Sequence, residues 1–327
     1  MRSFFRAVKA ACLFVGSVVG AGFATGREIS LFFGGGSVVN VGIAAAFMGA
    51  AAFLFLETGA KRAAIDPRVQ AGADAVVAAS SFVVYAAMIA SAESVLFGLF
   101  GKKGLSLFVA LFCAILSLKS TAWASRLNFL AVPALVAIVI FVGVKTPFSP
   151  SFASVRPFTS AAYGAMNMLF SGALMVEEGR VLSKKERLGA AALCGGLIFA
   201  LLLFMFRAAS LSSESEMPFL VAAEKAGMGP IAPVALLLAI VTTMVGCDYL
   251  VTDKLNAVFR DPILSSALVL LFGYLLSLVG FAPIVRAAYP VVSYLGIAFT
   301  FAAVLIVFAS EKRRAFRFPR KQLKGKG

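Results

Sequence analysis

Residues Cys12 to Phe33 read CLFVGSVVGAGFATGREISLFF, an apolar run with Gly16, Gly20, Gly22 and Gly26 crowded into its middle. A spanning helix needs about 20 mostly apolar residues, and this run meets that length. Each glycine weakens a helix by roughly 1 kcal/mol relative to alanine. The stretch therefore either unwinds near the centre of a bilayer or packs closely on another helix, because Gly16-x-x-x-Gly20 is also a small-xxx-small spacing. Unwound backbone at that depth survives only where it lines a cavity or binds something. Arg27 and Glu28, just past the glycines, favour unwinding beside a polar vestibule.

The rest of the chain sets this helix among others like it. Of 327 residues, 61% are apolar and 14% charged, whereas soluble domains sit nearer half and a quarter. The composition defines a polytopic membrane protein with no room for a soluble domain. An outer-membrane barrel is excluded, since its strands would alternate apolar and polar residues. The chain has no histidine, which removes His-based proton relays, His-ligated metals and Ser-His-Asp chemistry. Cys12, Cys113, Cys194 and Cys247 all fall in apolar runs and read as packing residues. With no phosphate-binding loop of G-x-x-x-x-G-K-[ST] type either, an enzyme is not expected.

Apolar stretches bounded by charge, Gly or Pro predict ten spans in an all-α fold. In the first half they cover Val8 to Phe33, Val38 to Leu56, Ala75 to Phe100, Leu105 to Leu118 and Leu127 to Val144. In the second they cover Ser160 to Val181, Leu188 to Phe206, Ile231 to Val251, Ile263 to Phe281 and Pro290 to Ala309. EMPFLVAAEKAG, from Glu216 to Gly227, predicts a short amphipathic helix at the interface. A cleaved secretory signal is the competing reading of the first 25 residues; it would discard the glycine motif and leave nine spans. With ten spans, 22 of the 30 Lys and Arg fall on the side of both termini and 8 on the other, so the termini are expected in the cytoplasm. The net charge of +15 concentrates at the two ends, with Lys312 to Lys326 the densest cluster. Such clusters fit anionic lipid headgroups and require no nucleic acid.

Span six, SAAYGAMNMLFSGALMVEEGRV, predicts a second interruption at Asn167, Ser171 and Gly172. If the chain comprises two five-helix units, residues 1–145 and 158–309 followed by a basic tail at 310–327, span six corresponds to span one. Because five is odd, the second unit enters from the opposite side. Paired broken helices in inverted halves point to the midplane site of a secondary transporter.

GSVVGAGF in span one resembles the G-x-x-V-G-x-G stretch of LeuT-type sodium symporters, within the amino acid-polyamine-organocation superfamily. The longer VGAGFATGREISLFF is similar to the bacterial YkvI-type membrane proteins, as is Tyr163-x-x-x-Asn167 in span six. The resemblance implies a LeuT-like five-plus-five inverted repeat in a bacterial inner membrane. Thr242 and Thr243 of span eight have two readings: hydroxyls back-bonded to a carbonyl one turn earlier, or cation ligands. The resemblance implies the second, a sodium site made by the carbonyls of Gly16, Val19 and Ala239 with the Thr242 and Thr243 hydroxyls, sodium being the coupling ion. No other cofactor is expected.

Unwinding at Gly20 to Gly22 would free the amides of Ala21, Gly22 and Phe23 to meet a carboxylate, so an amino acid or related solute is the expected substrate. Tyr85, Asn167, Ser171 and Gly172 are further candidate wall residues. Glu93 reads either as a structural partner of Arg27 or as a contact to a substrate amine or coupling proton. Glu57, Glu177, Glu178, Asp248 and Asp253 read mostly as ion pairs at cytoplasmic helix ends. Span five has no lysine between Leu127 and Val144, where some proton-coupled relatives in the resembled superfamily carry one, so the resemblance implies sodium rather than protons. The alternative to a symporter is a membrane receptor or assembly partner that keeps the fold without coupled transport.

Overall fold

The computed structural model describes residues 2–34, 36–61, 67–119, 122–147, 152 and 154–317, with side chains placed except at 2, 122–130 and 307–317. Every regular element among them is an α-helix. The first half holds α1 (Arg2–Val18), α2 (Ala21–Thr25), α3 (Arg27–Phe33), α4 (Val38–Ala60), α5 (Pro67–Phe100), α6 (Leu105–Lys119) and α7 (Ala122–Lys145). The second holds α8 (Pro157–Gly179), α9 (Lys184–Ser210), α10 (Pro218–Lys225), α11 (Ala232–Phe259), α12 (Pro262–Ser277) and α13 (Phe281–Arg317). Five of these, α4, α5, α9, α11 and α13 over Phe281–Ile306, are long and apolar enough to cross a membrane. Three more apolar helices are shorter: α6, α12 and the Ala131–Lys145 part of α7. The chain is a multi-pass membrane protein in which helices satisfy the backbone internally, as lipid demands.

Small residues set the closest helix crossings. Gly59 of α4 lies against the Val176 carbonyl of α8, and Gly179 of α8 against the Leu56 carbonyl. Gly49 and Gly195 bring α4 onto α9, and Gly296 brings α13 onto the Ala165 carbonyl. Between apolar helices in lipid, such close van der Waals packing supplies the adhesion that hydrophobic burial supplies in water.

Three boundaries differ from the sequence expectation. The helix containing Pro290 begins at Phe281, straight after Gly280 at φ 99°, so Pro290 and Arg286 lie inside α13. α5 starts at Pro67, eight residues before Ala75, and α11 runs on to Phe259. Apolar runs locate what lipid covers, whereas the helices continue past it.

Ion pairs gather at one end of the bundle. Lys9 of α1 meets Glu178 of α8 at 3.4 Å, Arg6 meets Glu186 of α9 at 3.9 Å, and Arg187 meets Glu57 of α4 at 2.8 Å. Asp74 of α5 and Lys254 of α11 pair at 3.0 Å. These are the helix ends expected in the cytoplasm from the distribution of basic residues in the sequence. At the other end, Arg207 of α9 donates to the Thr146 carbonyl at 2.8 Å, and Asn40 of α4 holds Ser154 and Arg156. The tail beyond residue 317 lies outside the described residues.

Candidate functional site

Helix one breaks where its glycines crowd. α1 stops at Val18, and Gly20 is extended, with φ −96° and ψ −171°. The Gly20 amide turns back to the Val18 carbonyl at 2.8 Å instead of reaching Gly16, and the Ala21 amide points to Thr243 Oγ1 at 3.4 Å instead of Ser17. The carbonyls of Gly16 and Ser17 thus lose their helical donors, leaving acceptors at the break. A second turn follows at Gly26, with φ 74° in the left-handed region that glycine adopts without strain. The Thr25 hydroxyl bridges it, donating to the Gly22 carbonyl at 2.8 Å and accepting from the Arg27 amide at 3.1 Å.

Span six corrects the expectation of a paired break: α8 runs uninterrupted through Asn167, Ser171 and Gly172. Its polar side chains are satisfied within the helix, Asn167 donating to the Tyr163 carbonyl at 3.0 Å and Ser171 to the Asn167 carbonyl at 2.8 Å. Gly172 serves packing, because a Cβ there would lie 2.8 Å from the Phe55 ring and 3.0 Å from that of Phe299.

The break in helix one faces α11. Gly20 is within van der Waals reach of Thr243 Oγ1, a Cβ there lying at 3.5 Å. Both Thr242 and Thr243 hydroxyls donate to the Ala239 carbonyl at 2.9 Å, which is the back-bonded arrangement. Gly20, Ala21, Ala239 and Thr243 are therefore together, beside the Gly16 and Ser17 carbonyls at the end of α1.

Glu28 is the residue that sequence reasoning misplaced. It was expected in an outer vestibule, yet it is buried, with its carboxylate directly on Gly22 and hydrogen-bonded to Tyr289 of α13. Tyr163 of α8 lies beside it, fully buried, with its ring 5.4 Å from Phe32 and 5.1 Å from Phe33. Arg27 turns the other way, donating to the carbonyls of Ser213 at 3.1 Å and Ser215 at 3.0 Å. Two turns between Gly20 and Arg27 fold the acid back onto the break, and helical periodicity carries no signal of them.

Glu93 is not brought to this place. Its carboxylate accepts from the Gly104 amide at 2.5 Å and the Ser106 amide at 3.1 Å, capping α6, and Arg27 is not its partner. Tyr85 is also apart, its ring on Gly273 of α12 and its hydroxyl on the Asp248 side of the fold. Of the acids expected in ion pairs, Glu57, Glu177 and Glu178 are paired, whereas Asp248 is fully buried with no cation partner among the described residues.

An open cavity of about 560 Å³ enters the bundle among α4, α5, α8, α11 and α13. Its mouth carries Asp74, Glu177, Arg180, Asp253 and Lys254. Phe55, Leu169 and Phe299 line it further in, next to Gly172. That volume falls in the range of small-molecule sites. On the opposite side, α10 covers the outer part of helix one: Phe219 is fully buried, and a Cβ on Gly26 would lie 3.1 Å from its amide nitrogen. The expected interfacial helix is thus a packed cover, with Pro218, Phe219, Ala222 and Ala223 buried.

By sequence, no family profile and no curated protein matches the chain. By structure, the chain is similar to Mhp1 in an inward-facing conformation, with a TM-score of 0.62 at 16% identity, over 92% of this chain and 75% of that one. It is also similar to Mhp1, a nucleobase-cation-symport-1 family transporter, in a closed conformation with bromovinylhydantoin bound, with a TM-score of 0.57 at 15% identity, over 93% and 77%. The fold is therefore the LeuT-like fold of that transporter.

Proposed function

We propose that the protein is a secondary transporter working by alternating access, a sodium-coupled symporter of an amino acid or similar small solute in a bacterial inner membrane. The observation that carries this reading is the break of helix one against Thr243, with an open cavity on one side of the bundle and α10 closing the other. The YkvI-type resemblance of the same stretch and the Mhp1-like fold support it. In this reading ten spans form a five-plus-five inverted repeat, only the first of its two related helices being broken, and the basic tail lies on anionic lipid.

Sodium would take the carbonyls of Gly16, Val19 and Ala239 and the hydroxyl oxygens of Thr242 and Thr243. Neutral oxygens suit a hard monovalent ion that must bind and leave. With Ala21 N given to Thr243, the amides of Gly22 and Phe23 remain for the substrate carboxylate, and Glu28 meets its ammonium group. Asn167, Ser171 and Gly172 would form the facing wall on α8. The mouth of the cavity lies on the side that the basic residues assign to the cytoplasm, so this conformation is inward-open.

Uptake of labelled amino acids into proteoliposomes tests the reading. A sodium gradient is expected to drive accumulation, and Thr243→Ala to weaken the sodium dependence about 10-fold or more, the loss of a ligand contributing about 1.5–3 kcal/mol. Accumulation unchanged when choline replaces sodium would overturn the sodium site. Saturable binding with no flux would make the protein a receptor instead.

A further inference from the structure

A second polar centre lies outside this site, in the seam where α5, α6 and α11 pack. Asp248 of α11 is fully buried and makes a short hydrogen bond with Ser117 of α6. Its other oxygen, Oδ1, has no hydrogen-bond partner, and among the described residues Asp248 makes no ion pair. The titratable side chains facing it are Tyr85 of α5, Cys113 of α6 and Cys247 of its own helix. α7 brings no titratable group between residues 131 and 144, α2 brings none, and the titratable side chain of α12 is Tyr274. Glu224 and Lys225 of α10 lie toward the opposite end of α11, and Lys254 is engaged with Asp74 at 3.0 Å.

Counting hydrogens at this contact decides its chemistry. The Ser117 hydroxyl carries one, and it also lies 2.9 Å from the Ala114 carbonyl, to which it donates. Ser117 Oγ is also placed to donate to Asp248 Oδ2, so its one hydrogen faces two acceptors, and a proton on the carboxyl is what would satisfy both contacts. An ionised carboxylate here would hold at most one donor on one oxygen and none on the other, which buried charge does not tolerate. Nearby hydroxyls are unpartnered as well: Tyr85 and Ser81 on α5, Thr252 on α11. Asp248, Thr252 and Asn256 recur every four residues down one face of α11 toward its C-terminal end, and Asn256 Oδ1 too lacks a partner.

We propose that Asp248 is a proton-binding site, holding its proton toward Ser117 in this conformation and exchanging it along the Thr252 and Asn256 face. A proton needs no cavity, so a packed seam accommodates it. Asp248 lies five residues beyond Thr243, about 7.5 Å along the same helix, so a shift of α11 acts on both centres.

Infrared difference spectroscopy of the full-length protein in nanodiscs, without substrate or sodium, tests this directly and independently of the transport reading. The expected result is a carbonyl-stretch band of a protonated carboxyl that declines as pH rises, is lost in Asp248→Asn and is retained in Glu28→Gln. Ser117→Ala, which keeps the carboxyl if Asp248→Asn fails to fold, is expected to shift the band to the position of a carboxyl without a hydrogen-bond acceptor. A band absent from the wild type, unchanged in Asp248→Asn or constant at every pH overturns the proposal. Loss of the band on adding sodium at fixed pH would assign a metal cation to the seam and overturns it equally.

Discussion

Replacing Glu93 by alanine removes the acceptor of two amides, Gly104 N at 2.5 Å and Ser106 N at 3.1 Å, at the start of α6. A helix cap contributes about 0.5–2 kcal/mol, and a carboxylate at a helix N-terminus adds about 0.3–1 kcal/mol. Glu93 is partly exposed, so solvent screening reduces the second contribution. The expected loss is about 1.5 kcal/mol. With an unfolding entropy near 2.1 cal/mol/K per residue, that amounts to a fall of about 2 °C in Tm for a chain of this length. Glu93→Gln keeps an acceptor and is expected to lose about half as much. Thermal unfolding in nanodiscs, followed beside uptake in proteoliposomes, measures both quantities. Under the proposed transport, a capping role predicts that Glu93→Gln leaves the KM of uptake unchanged. If that variant instead keeps its Tm and loses uptake, the carboxylate belongs to the substrate and the capping account is wrong.

Gly59→Val would push a side chain into the Val176 carbonyl at the crossing of α4 and α8, whereas Gly72→Val meets open space. The first is expected to lose about 1–3 kcal/mol and the second to change little, read by size-exclusion profiles of heated samples; equal behaviour would remove the role given to the crossing. A double-mutant cycle on Glu57 and Arg187, whose side chains are 15% and 12% exposed, is expected to give a coupling of about 2 kcal/mol, between the values for exposed and fully buried pairs. The half-exposed pair of Asp74 and Lys254 should give about 0.5 kcal/mol and vanish in high salt; the reverse ranking would contradict the burial argument.

The apolar runs of the sequence located the helices, because lipid imposes length and composition together. Their ends were less legible. Asp248 was read near a helix end because the apolar run closes at Val251, yet α11 continues for two more turns and leaves the acid deep in the bundle. Breaks divided in the same way. The glycines of span one unwind the chain, whereas Gly164 and Gly172 of span six admit Phe47, Phe55 and Phe299 against a continuous helix. Glycine permits both outcomes, and the neighbours that choose between them come from distant parts of the chain. Glu28 shows the limit most plainly, since its partner Tyr289 is supplied by the last helix.

The two halves of the broken first helix are fastened to different parts of the molecule. The inner half is held at its start by Lys9 to Glu178 and Arg6 to Glu186, pairs whose basic members are 69% and 62% exposed. The outer half is held by Arg27 on backbone carbonyls and by the packed Phe219. Exposed pairs contribute at most about 1 kcal/mol each and weaken with ionic strength, while neutral packing does not. Salt therefore loosens the hold on one half without touching the other, and ionic strength becomes a setting on how freely α1 moves against α8 and α9.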